Sequence, residues 1–243
     1  MNITRLSYAR KDLDALPEPH ISTFLLIGHF LNEANWLRKL ISISVLDQSG
    51  SEPEEKARLA LTLMLTNLSA GKIHAGWMRI RAFAEEPTLA GAFEKDRIKD
   101  LYARLAPLLA EGSLIHKFRN RQGSHYPTSL SLAQLPNIAE EDVAIFTTTY
   151  DGDMLSLIST LSAAGNLVHV SGDQTVQEAL GSVIDAVVNA FDIYCTLLLE
   201  ILFSPVKHDI RAPSKQTVIA NDDACQLSDR RLRFFCDPPS EAA

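Results

Sequence analysis

Leu59-Ala60-Leu61-Thr62-Leu63-Met64-Leu65 is a run apolar almost all round. It sits in the middle of a segment whose spacing predicts a helix from about Glu54 to Ala84. A helix with apolar residues on every side is expected to be buried on several sides. Its start is marked by Pro53, suited to a first helical turn, and by Glu52, Glu54 and Glu55, which favour the positive helix end. Pro87 separates it from the next helix.

Working outward from this helix, the same period recurs on both sides. Upstream, Phe24, Ile27, Leu31, Leu37, Leu40, Ile41 and Val45 predict a helix beginning near Pro19, with the turn-rich 47–53 as the break. Downstream, Ile98, Leu101, Leu105 and Leu108 predict a third helix over roughly Phe93 to Ala110, with Pro107 kinking or interrupting it. Glu111-Gly112-Ser113 reads as a stop and a new N-cap, and Leu114 to about Tyr126 as a short helix halted before Pro127. The β-branched 143–149 predicts a short strand pairing with 166–170, with a helix over 154–164 between them. Val176, Leu180, Val183, Ile184, Val187, Phe191, Tyr194 and Leu198 predict a last long helix from Thr175 to about Phe203, ended by Pro205. The expected fold is all-α, a bundle of four to five long helices with room for a short β-hairpin insertion near 143–170. Residues 1–207 are expected to form the helical bundle domain and 208–243 a loosely ordered tail.

Composition narrows the function classes. The 243 residues are 46% hydrophobic and 22% charged, enough for one sizeable core. A formal net charge of −7 argues against a general nucleic-acid coating protein and leaves room for a local basic patch. Cys195, Cys225 and Cys236 have no metal or redox spacing. The mixed charges of 1–16 lack the apolar core of a signal peptide, and the apolar stretch Ile193–Phe203 is too short to span a bilayer. A cytoplasmic protein with no membrane contact is the expectation.

Chemistry concentrates in Leu114-Ile115-His116-Lys117-Phe118-Arg119-Asn120-Arg121-Gln122-Gly123-Ser124-His125-Tyr126-Pro127. Arginine and histidine together can cleave RNA without a metal. The ribose 2′-hydroxyl is an internal nucleophile beside the scissile phosphate. Histidine moves the proton, and arginine holds two phosphate oxygens through its planar fork. One histidine does not easily serve both the attacking and the leaving oxygen, and a symmetric dimer would bring two copies of the pair together.

Arg119, the polar Asn120 directly after it and His125 further along, near a helix end, resemble the HEPN superfamily. The resemblance rests on about seven residues and the helical layout. It implies a helical bundle, commonly a homodimer, and for many members a metal-independent ribonuclease in toxin–antitoxin, phage-defence or RNA-processing systems; other members only bind. It implies Arg119, Asn120 and His125 as catalytic residues, Lys117, Arg121 and Tyr126 as substrate contacts, no cofactor or metal, and RNA and an antitoxin or regulatory protein as partners. In toxins whose tyrosine is modified by a nucleotidyltransferase antitoxin, a residue separates His from Tyr. Here His125 and Tyr126 are adjacent, so that regulation is not carried over.

The same residues also have a structural reading. Lys117, Arg119 and Arg121 sit where a helix C-terminus favours cations, Gly123 suits a left-handed cap, and Asn120 can bond free carbonyls. On a continuous helix Arg119 and His125 are about 120° apart in projection, so they share a face only if the helix opens at Gly123. The alternative function is a non-catalytic binding or scaffold protein. His116 lies close enough in sequence to join a polar cluster with this pair. Elsewhere, His29 and Glu33 have a spacing that could hold a metal or line a polar groove. Ala70, Gly71, Ala75 and Gly76 around Lys72 and His74 suggest close helix contact. Ser124 has no well-placed base, and Arg230-Arg231-Leu232-Arg233-Phe234-Phe235 reads as a solvated tail or a partner contact.

Overall fold

Residues 2–7, 10–14, 17–46, 51–86, 90–120, 143, 145–147, 154–156, 159–160, 168, 171–173, 175–206 and 215–220 are described by a computed structural model. In chain order they form β1 (Asn2–Ser7), α1 (Arg10–Asp14), α2 (Glu18–Leu46), α3 (Glu52–Glu85), α4 (Ala90–Phe93), α5 (Asp96–Leu109), α6 (Leu114–Phe118), β2 (Ile145–Thr147), β3 (Met154–Ser156), α7 (Val176–Val206) and β4 (Lys215–Ala220). The class is all-α and helical-bundle, as the apolar period predicts.

The long helices begin where local chemistry tells them to. The Pro17 carbonyl accepts the amides of His20 and Ile21, so α2 carries Pro19 in its first turn, where a missing N–H costs nothing. The Ser51 carbonyl accepts the Glu55 amide at the start of α3. At α7, Thr175 Oγ1 accepts the Glu178 amide and the Glu178 carboxylate accepts the Thr175 amide, a reciprocal capping box. Pro107 lies inside the last turn of α5 without ending it, on an exposed face where solvent can take the carbonyl it strands.

The chain divides into two compact units. The first holds residues 1–36, 72–110 and 189–226. Ile27, Ile73, Ile80, Ile98, Leu105, Phe191 and Leu197 form its core. Within it the Trp77 and Tyr102 rings meet at 4.5 Å between centroids, and Arg97 pairs with Glu200 at 2.9 Å. Its sheet pairs β1 with β4 antiparallel, from Asn2 opposite Ala220 to Ser7 opposite Lys215. That strand lies within 208–243, where a loosely ordered tail is expected from composition.

The second unit holds residues 37–71, 111–188 and 227–243. Ile41, Leu63, Leu65, Ile115, Phe118, Val183 and Val187 form its core. A short polar seam crosses it: Thr62 Oγ1 donates to Ser44 Oγ at 3.1 Å, and Thr66 Oγ1 to the Thr62 carbonyl at 2.7 Å. The apolar run of α3 is not buried all round, because Met64 is 58% exposed while Leu63 and Leu65 are inside. The expected hairpin is present with a different partner. β2 pairs with β3 antiparallel, Ile145 opposite Ser156 and Thr147 opposite Met154, so Met154–Ser156 is strand where the spacing predicts helix. Short apolar runs fit either period, and here pairing decides.

Gln177–Leu202 is long and apolar enough to cross a membrane by length and composition, and half of its most apolar window is buried within the protein. The run is therefore longer than the Ile193–Phe203 stretch suggests. Its inward positions, among them Val183, Val187, Phe191 and Leu198, are core positions.

Candidate active site

The start of the short helix α6 is defined by its own sequence. Gly112 has φ of +81°, a left-handed conformation that a side chain would strain. Ser113 follows as N-cap, its Oγ accepting the His116 amide at 3.2 Å. Ile115 and Phe118, three apart and essentially unexposed, fix the rotation of the helix about its axis. With those two inside, Lys117 and Asn120 are exposed and His116 and Arg119 half-buried.

His116 lies three residues before Arg119 and four before Asn120, so it neighbours each of them on the helix surface. Arg119 donates twice to one carboxamide oxygen: Nη2 lies 2.7 Å and Nε 3.0 Å from Asn120 Oδ1. That contact fixes the orientation of the amide, because a guanidinium only donates. It turns Asn120 Nδ2 to His116 Nε2 at 3.1 Å, while the Gly112 amide faces His116 Nδ1 at 3.2 Å. A neutral imidazole has one acceptor nitrogen, so the ring accepts from Asn120 in one tautomer and from Gly112 in the other. The arrangement presents a planar cation whose direction is set by its neighbours, suited to a phosphate or carboxylate.

Arg119, Asn120 and Lys117 are thus placed on this helix, and the structure brings the first two together. Arg121, His125 and Tyr126, and with them the Arg119–His125 pairing, lie outside the described residues, as do Ser124 and the tail segment 230–235. Among the described residues, the histidine that meets Asn120 is His116. Its four-residue spacing from Asn120 was the signal in the sequence.

The other candidates resolve into packing and ion pairs. Glu33 lies 3.7 Å from His29 Nε2 and accepts the Lys72 ammonium at 2.7 Å, so its carboxylate faces a cation from the next helix. Among the described residues no group of three or more His, Cys, Asp or Glu side chains is placed to hold a metal ion. Gly76 does mark a close helix contact: the Tyr194 hydroxyl occupies the space of its absent side chain. Burial pushes the Tyr194 phenol well above its ordinary range, with Cys195 and Glu33 adding to the effect. Comparison with family models, curated proteins and solved structures finds no match.

Proposed function

We propose that the chain is a HEPN-like, metal-independent endoribonuclease built on the end of α6. The observation that supports this reading is the held guanidinium of Arg119, with Asn120 bonded to it, six residues before His125 in an all-α chain. In the proposed reaction the RNA 2′-oxygen attacks phosphorus and gives up its proton to a general base. The bond from phosphorus to the 5′-oxygen breaks, and that oxygen takes a proton from a general acid. The products are a 2′,3′-cyclic phosphate and a 5′-hydroxyl. His125 serves as acid/base and Arg119 offsets the charge gathering on the non-bridging oxygens. Two copies in a homodimer would supply both proton-transfer groups. Lys117, Arg121 and Tyr126 contact the flanking strand.

A non-catalytic binding protein is the second reading. It is favoured by the way Asn120 spends both ends of its amide inside the cluster, as a structural helix end would. Incubation of the wild type and His125→Ala with mixed cellular RNA in EDTA separates the two. Cleavage by the wild type alone, leaving cyclic phosphate ends, is the expected result. Equal cleavage by both proteins, or none by either, ends the catalytic reading.

A further inference from the structure

We infer that His116 is a positioning residue, which holds the Arg119 guanidinium for an RNA phosphodiester by way of Asn120. The inference rests on the ribonuclease reading for its ligand and on the geometry for its mechanism. Two contacts carry it. Arg119 grips Asn120 Oδ1 through Nε and Nη2, which fixes the plane of the guanidinium relative to the carboxamide. The carboxamide is itself a rotor, and in the tautomer that carries the ring proton on Nδ1 its other end donates to His116 Nε2 at 3.1 Å. His116 is in turn anchored: the residue is half-buried, its amide bonds the Ser113 cap, and Ile115 beside it is in the core. Order therefore runs from the buried side of α6 outward, through His116 to Asn120 to Arg119. Without the His116 nitrogen the carboxamide keeps only its contact with Arg119, and the arginine fork loses a partner anchored at its far end.

The geometry also sets what this position requires. A side chain at this position must accept a hydrogen bond about two bonds beyond its Cγ, which glutamine can also do and alanine cannot. His116→Gln should therefore keep the function that His116→Ala loses. A residue present only to fill space would show no such rescue.

The experiment uses the full chain in two arms. In the first, arginine is ¹⁵N-labelled and solvent exchange of the Arg119 Nε–H is measured, its resonance assigned by loss in Arg119→Lys. Exchange should speed up about fivefold in His116→Ala and in Asn120→Ala, the worth of one net hydrogen bond, and return near the wild-type rate in His116→Gln. Unchanged exchange in His116→Ala overturns the inference. In the second arm a labelled single-stranded RNA is titrated in EDTA with the thermal midpoint checked for each variant. His116→Ala should weaken binding about fivefold with the midpoint held, and the His116→Ala/Asn120→Ala double variant should be no weaker than either single one. Losses that add in the double variant mean that His116 acts through a contact of its own, which also overturns the inference. If Arg119→Ala binds RNA as the wild type does, the ribonuclease reading falls, and the exchange rates of the first arm still decide whether His116 holds Arg119.

Discussion

Gly76 and Tyr194 show how one missing side chain sets a local fit. A Cβ on Gly76 would lie 1.8 Å from the Tyr194 hydroxyl oxygen and 2.8 Å from the ring carbon that bears it. Tyr194 is rigid and only 2% exposed, so it has nowhere to retreat. Gly76→Ala should destabilise the protein by about 1–3 kcal/mol through overpacking, more than the helix gains from alanine. Gly71 provides the contrast five residues earlier on the same helix. Nothing lies within 4 Å of a Cβ built there, so Gly71→Ala should stabilise by about 0.5–1 kcal/mol. Denaturant midpoints of the two variants should move in opposite directions; movement in the same direction would refute the fit described for Tyr194. The same tyrosine predicts a pH effect. Its folded pKa is raised above the ordinary value of 10.0, so between the two the unfolded chain loses the proton first. Stability is unaffected below about pH 10 and falls above it, by up to about 1.4 kcal/mol per pH unit. Tyr194→Phe should flatten that alkaline fall in a comparison of urea midpoints across pH 9 to about pH 11.

At the scale of elements, α6 depends on its first turn. Ser113→Ala removes the acceptor for the His116 amide and should cost about 1 kcal/mol. The loss should be felt at the cluster as well, because that amide belongs to the residue that bonds Asn120. If Ser113→Ala shifts neither the thermal midpoint nor the amide resonance of His116, the cap is not what sets the helix. This cap was legible: Gly112-Ser113 before an apolar helical run is a stop followed by a start. The starts of α2 and α3 were legible to within about three residues for similar reasons, proline in the first turn and acidic residues beside it. The Thr175-x-x-Glu178 box was equally readable, and it places the start of α7 more sharply than the apolar stripe does. The β1–β4 pair was not legible. Its strands lie at opposite ends of the chain, and no local pattern announces a partner so far away. Met154–Ser156 failed for the opposite reason, since three residues carry no period. In the site, the His116–Asn120 contact follows from four-residue spacing. The Arg119–Asn120 contact does not, because adjacent residues point apart on a helix and only the length of arginine brings its fork back.

On the scale of the whole molecule the balance of charge constrains how RNA could be held. The net charge is −7, so long-range attraction to a polyanion is absent and any RNA contact is local. The cations proposed to meet the strand are Lys117, Arg119 and Arg121. Each phosphate neutralised on a single strand contributes about −0.7 to the slope of log K against log salt, so three give a slope of about −2. A broad basic surface of several more contacts would give a much steeper line, and a purely apolar or stacking contact a flat one. Anisotropy titrations of single-stranded RNA over a range of salt test this directly. The slope should become shallower by roughly 0.7 in Arg119→Ala and again in Lys117→Ala. Variants that leave the slope unchanged would place the RNA on some other surface and remove α6 from the proposal. His125→Ala supplies the internal control: a histidine that moves protons without neutralising a phosphate should abolish cleavage and leave the salt slope as it was.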